Sequence, residues 1–212
     1  RAGPASAQTA EVPEAGIPHQ SCPLLERPER VLPSGAADND VYVLGDMDRD
    51  PTSSDLRDPE VWRSPKSALP QHMTLRSRLG IEMPTGSSQI LIFEETGHNV
   101  YNERSTVATR GDDGRWRVDE AVERWVGTRD AYDGYARWIL SKETGRQLDA
   151  LLADPCLAAD PRRNTGWTGS WSGIWQWTIE IRTPQAALRF LRVTTGFGRA
   201  SRVSELLNKD RP

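Results

Sequence analysis

A chain of 212 residues with 36% hydrophobic residues suits one folded domain preceded by an extended arm, and the composition is not that of a disordered chain. A formal net charge of -3 offers no whole-molecule field to gather nucleic acid or an acidic membrane surface. No apolar stretch approaches the ~20 residues of a membrane span.

Residues 1–38 read as an extended arm in which Pro4, Pro13, Pro18, Pro23, Pro28 and Pro33 recur. Each proline removes a backbone donor and pushes its predecessor toward extended geometry. Residues 39–212 read as a single α+β domain. Cys22 and Cys156 are the two cysteines of the chain, and neither lies in a C-x-x-C or Cys/His cluster. A disulfide between them would close a long loop and tie the arm to the domain, which requires an oxidising compartment; two separate buried thiols are the alternative. Ala5-Ser6-Ala7 has the small residues of a signal-peptide end, and with the disulfide it predicts a periplasmic or extracellular protein.

Val41-Tyr42-Val43-Leu44 reads as a short strand, followed by an acidic, proline-containing loop to about residue 70. In that loop Asp46, Asp48 and Asp50 alternate as in the first half of a calcium-binding EF-hand. The second half departs from it, with Pro51 where glycine is needed and Arg57 where glutamate belongs. Asp55 and Asp58 offer an irregular completion. A solvated acidic turn competes with the calcium reading.

Three strands follow. Gln89–Glu95 contains the continuous apolar run Ile90-Leu91-Ile92-Phe93, suited to a central strand. Gly97-His98-Asn99 turns the chain into Val100–Arg110, and Gly111-Asp112-Asp113-Gly114 turns it into Arg115–Val126. Arg110 opposite Arg115 would align Val107 with Val118 and Thr109 with Trp116, a meander with like charges at one end. Ser141 is an N-cap, and the helix after it places Leu148, Leu151 and Leu152 on one side and stops before Pro155.

From Trp175 the pattern alternates. Trp175, Trp177, Ile179 and Ile181 fall on a core face; Gln176, Thr178, Glu180 and Arg182 fall on a wet one. Leu188–Thr194 returns as the hairpin partner, and Val203, Leu206 and Leu207 mark a closing helix. Segregated strands and helices predict an α+β fold: an antiparallel sheet, made of a β-meander and a Trp-rich C-terminal hairpin, with two short helices.

Candidate sites are few. Trp167 and Trp171 lie in a Gly- and Ser-rich loop with no strand pattern to bury them, and exposed tryptophans stack on sugars and anchor protein interfaces. Arg182, Arg189, Arg192, Arg199 and Arg202 would bind an anion or a partner if they shared a face, although Arg189 and Arg192 differ in strand parity. Arginine outnumbers lysine, which occurs only as Lys66, Lys142 and Lys209; pairing chemistry and base composition explain this equally well. His19, His72 and His98 are scattered over arm, loop and turn, and Glu94 and Glu95 point to opposite faces of a strand. Nucleophile elbow, P-loop and H-E-x-x-H are missing. Together these predict a non-catalytic exported protein that binds a partner protein through its arm, as an accessory subunit of a cell-envelope assembly. A glycan-directed binding module or hydrolase is the second reading, since a carboxylate pair needs no local motif.

Overall fold

The apolar run Ile90–Phe93 is buried at every position because its strand has neighbours on both sides and cover on both faces. In a computed structural model of the chain, the described residues are Cys22 and residues 62–97, 100–126, 130–163, 174–183, 187–192 and 198–212. Their strands are β1 (Gln89–Gly97), β2 (Val100–Arg110), β3 (Trp116–Val126), β4 (Asp130–Ile139), β5 (Ile174–Arg182) and β6 (Ala187–Arg192). They form one antiparallel sheet in the order β4-β3-β2-β1-β5-β6. A four-strand meander thus runs outward from β1, and the C-terminal hairpin returns to the other side of β1. The expected strand Val41–Leu44, the acidic loop and the arm apart from Cys22 lie outside the described residues.

Three helices accompany the sheet: α1 (Leu69–Arg78), α2 (Lys142–Leu152) and α3 (Arg199–Asn208). The capped helix starts where expected, with Ser141 Oγ accepting from Thr144 N at 3.1 Å. Its Leu148 joins Val203, Leu206 and Leu207 of α3 over Ile90, Ile92, Ala108, Trp116, Val118, Trp138, Ile179 and Phe190, the main core. Trp177 and Leu188 pack at its border.

Two expectations need correction. The second face of β5 is not simply wet: Glu180 is 1% exposed, because the segment before α1 covers it, with Ser67 Oγ donating to Glu180 Oε2 at 2.6 Å. The helix that Ser67 precedes is a third one, where the sequence predicts a loop. The β2–β3 register is also shifted by one residue. Arg110 faces Trp116, Ala108 faces Val118 and Val107 faces Asp119. The turn holds three residues between the closing pair Gly111 and Arg115, with Gly114 at a φ of 72°, a left-handed conformation that glycine adopts without strain. A slip of one residue exchanges the faces, so Trp116 and Val118 share the main core with Ala108. Arg110 then escapes Arg115 and reaches Asp149 of α2, which also accepts from Trp116 Nε1, both at 2.9 Å.

Cys22 is bonded to Cys156, with the two Cα atoms 5.3 Å apart and 134 positions apart in sequence. Cys156 lies in a short 3₁₀ turn, Pro155–Leu157, just beyond α2. Closing a loop of that length restricts the unfolded chain. Replacing both cysteines by serine is therefore expected to lower unfolding free energy by about 5 kcal/mol on the chain-entropy account, read from urea unfolding of the oxidised chain and the variant.

Candidate functional site

The described residues of the second sheet face meet α1 through polar groups. Arg76, 1% exposed, uses all five guanidinium N–H groups. Nε donates to Ser105 Oγ (2.8 Å), and Nη2 donates to the carbonyls of Ser105 (3.0 Å) and Asp119 (2.8 Å). Nη1 donates to Asp119 Oδ1 (2.5 Å) and the Glu82 carbonyl (3.3 Å). Such saturation makes a buried arginine tolerable. The other carboxylate oxygen of Asp119 accepts from Tyr135 Oη (2.6 Å) and Arg137 Nε (2.7 Å) of β4. Burial would raise the Asp119 pKa, but the hydrogen bonds from Tyr135, Arg76 and Arg137 outweigh it and hold the carboxyl below its ordinary range.

His72 completes this layer. It is fully buried, its Nδ1 sits 2.7 Å from Ser105 Oγ and its ring meets Phe93 edge-on at 5.3 Å. Nε2 makes no hydrogen bond among the described residues. His72 and Ser105 do not form a nucleophile–base pair open to substrate, because both are fully buried and Ser105 is engaged by Arg76.

A second cluster lies on the face that carries α2 and α3, beyond the core. Arg104 Nη1 is 3.2 Å from Glu94 Oε2, and its Nε is 3.7 Å from Glu120 Oε2. Glu120 is 2% exposed and receives Arg211 Nη2 at 2.5 Å. Burial raises the pKa of Glu94, against the pull of Arg104. Glu94 also lies opposite Trp177 in the β1–β5 ladder. The face thus joins two carboxylates to an aromatic ring, with arginines holding the charge balance.

The third feature is the outer edge of β4. Leu140 N donates to Trp116 O at 3.0 Å, so the even-numbered residues of β4 bond to β3 and the odd-numbered ones direct N–H and C=O outward. Ala131, Asp133, Tyr135, Arg137 and Ile139 therefore line that edge. No described strand pairs with it. Tyr135 and Ile139 are 46% and 45% exposed, and the Arg137 side chain 70%. The opposite edge is partly closed: Leu191 N of β6 donates to Arg162 O at 2.7 Å, and Arg163 bridges Leu191.

Of the residues expected to bind, Arg189 lies with Arg182 against Glu180, at 3.4 and 2.7 Å from Oε1. Arg199 is committed to Asp154 and Asp160, and Arg202 to Glu205. Arg192 ends β6 opposite Trp177; its side chain lies outside what is described. Trp167, Trp171, Asp46, Asp48 and Asp50 fall outside the described residues. Among those described, no three His, Cys, Asp or Glu side chains gather as a metal site, and no helix is long and apolar enough to cross a membrane. The reading of the sequence did not find Arg76, Asp119 or the β4 edge.

Two outcomes follow from the buried layer. Replacing Arg76 by Ala takes from the buried Asp119 carboxylate one of its partners and from three carbonyls a donor, and should cost about 3–5 kcal/mol in urea unfolding. Burial, with Arg76 and Arg182 nearby, pushes His72 from 6.5 down to about 3. Its contribution is complete above pH 6.5 and falls toward pH 3, because only the unfolded chain binds the proton. Between pH 6.5 and 5 the wild type should lose roughly 2 kcal/mol more than His72→Asn, measured as the difference in the pH slopes of unfolding free energy.

No protein-family model, curated protein or solved structure matches the chain in comparison.

Proposed function

We propose that the chain is a non-catalytic, exported protein that acts by binding another protein, in the manner of an accessory subunit of a cell-envelope assembly. The observation that carries this reading is the outer edge of β4, with which no other described strand pairs. Five residues there direct backbone donors and acceptors outward, and an extended segment of a partner can satisfy them by strand addition. Tyr135 and Arg137 beside that edge are held by Asp119, so little side-chain freedom is lost on binding. The arm, tethered through Cys22–Cys156, is the second contact. The same disulfide supports a periplasmic or extracellular location, since such bonds persist in oxidising compartments.

A glycan-directed module or hydrolase is the second reading, favoured by Glu94 and Glu120 on the face that carries Trp177. Arg104 between the carboxylates and Arg211 on Glu120 weigh against it, because they neutralise the pair that would do acid–base work. The described Trp116 and Trp138 are buried in the core.

The test is native pull-down from the source cell envelope with mass spectrometry. The full chain is compared with one lacking residues 1–38 and carrying Cys156→Ser, so that no free thiol remains. A stoichiometric partner retained by the full chain and weakened by the deletion is the expected result. A full chain that emerges alone overturns the reading, and glycan binding or hydrolysis lost on Glu94→Gln would replace it.

A further inference from the structure

Arg104 Nε and Glu120 Oε2 are buried, face each other at 3.7 Å and make no hydrogen bond. A buried carboxylate oxygen without a donor costs free energy, so Glu120 depends on what reaches its other oxygen. That group is Arg211, whose Nη2 donates to Oε1 at 2.5 Å. The inner members of the cluster sit on neighbouring strands of one face. Arg104 of β2 stands opposite Glu94 of β1, and Glu120 of β3 opposite Thr106 of β2. Arg211 comes from outside the sheet. It lies in the segment after α3, which is fastened by Asp210 Oδ2 accepting from Ser141 N at 2.7 Å and by the Arg211 amide donating to Asn208 O at 3.2 Å.

Charge shows what Arg211 does there. Glu94 and Glu120 bring two negative charges, and Arg104 brings one positive. Without Arg211, one negative charge would stand uncompensated beside a Glu120 side chain that is 3% exposed. Burial pushes the Glu94 carboxyl above its ordinary range, against Arg104 and, more weakly, Arg211. The Arg211 side chain is itself 37% exposed, so it runs from solvent down to a buried acceptor. Among the described residues Glu120 is its one ion-pair partner.

We propose that Glu120, Glu94 and Arg104 form a guanidinium-binding site, which the chain's own Arg211 fills and from which a guanidinium-bearing ligand displaces it. The occupant names the ligand chemistry. Arg211, held by its backbone, reaches Oε1 and leaves Oε2 without a donor. An untethered guanidinium has the planar fork that serves both oxygens of a carboxylate at once. A compact ammonium lacks that fork and is more strongly hydrated. A free guanidino compound and an arginine side chain of another protein offer the same group. The site stands whether or not β4 takes a partner strand.

The test uses the full, oxidised chain and ethylguanidinium at low millimolar concentration, followed by NMR. Sodium chloride and ethylammonium at equal concentration serve as controls for salt and for charge. Arg211→Ala is expected to bind ethylguanidinium about tenfold or more tightly than the unmodified chain, because a tethered competitor has gone. Adding Glu120→Gln to Arg211→Ala should abolish that binding, and ethylammonium should bind weakly to either chain. A reading free of any variant comes from the unmodified chain at high ethylguanidinium. There the Arg211 side-chain N–H signals should move to the positions of a free guanidinium, and sodium chloride should not move them. A short peptide with one internal arginine separates the sources. Tighter binding than ethylguanidinium assigns the site to a protein's arginine, and equal binding to a small guanidino compound.

A folded Arg211→Ala chain that binds ethylguanidinium no better than the unmodified one overturns the proposal. Binding that survives Glu120→Gln does so too, as does ethylammonium binding as well as ethylguanidinium. Should Arg211→Ala fail to fold, the displacement measurement decides: Arg211 signals that stay in place refute the site.

Discussion

The Arg76–Asp119 ion pair is the constraint around which the described structure is arranged. It joins α1 to β3 directly, to β2 through Ser105, and to β4 through Tyr135 and Arg137. An apolar contact would have let α1 slide along the sheet with little change in energy. Five directed hydrogen bonds from one guanidinium fix its position, at the cost of desolvating two charges. Such a pair is weak evidence for net stability, yet losing Arg76 would leave Asp119 to Tyr135 and Arg137 alone.

The sheet therefore separates two kinds of interior. On one face α2 and α3 close an apolar core over β1, β2, β3 and β5. On the other, a smaller apolar group of Ala68, Leu75 and Phe93 adjoins the polar layer of His72, Ser105, Arg76 and Asp119. β4 belongs to both, with Trp138 in the core, its Nε1 donating to the Leu207 carbonyl at 3.0 Å, and Tyr135 and Arg137 on Asp119. An edge strand gripped from both faces is held in register with β3.

How much of this was legible depends on where each element keeps its apolar residues. β1 declared itself by a continuous apolar run, and α2 by a serine cap and a leucine stripe, because tertiary burial there follows hydrophobic periodicity. In α1 the buried positions are His72, Leu75 and Arg76, while Met73 is 55% exposed. Its buried face sets one leucine beside a histidine and an arginine, so it shows no apolar stripe and the helix reads as loop. β4 was missed for a related reason: Tyr135 and Ile139, which look like core residues, are the exposed ones. The wet face expected at β5 failed with α1, since Glu180 and Arg182 are polar because their cover is polar. The register error at Gly111–Arg115 came from one left-handed glycine, whose effect depends on backbone geometry that composition does not specify. The sites at Trp167, Trp171 and the acidic loop lie outside the described residues.

The disulfide also sets a path for mechanical force. Tension applied to the chain before Cys22 passes through the covalent bond to Cys156 and on toward the C-terminus. The stretch between the bridged cysteines, which stand 134 positions apart and enclose β1, β2, β3 and β4, lies off that covalent path. Reduction would return it to the path, releasing up to about 450 Å of extensible chain at ~3.3–3.6 Å per residue. With the bond intact, a pull on the arm thus enters the backbone at the turn after α2 and runs through the C-terminal hairpin and helix, and it reaches the meander only through the ladder that joins β5 to β1.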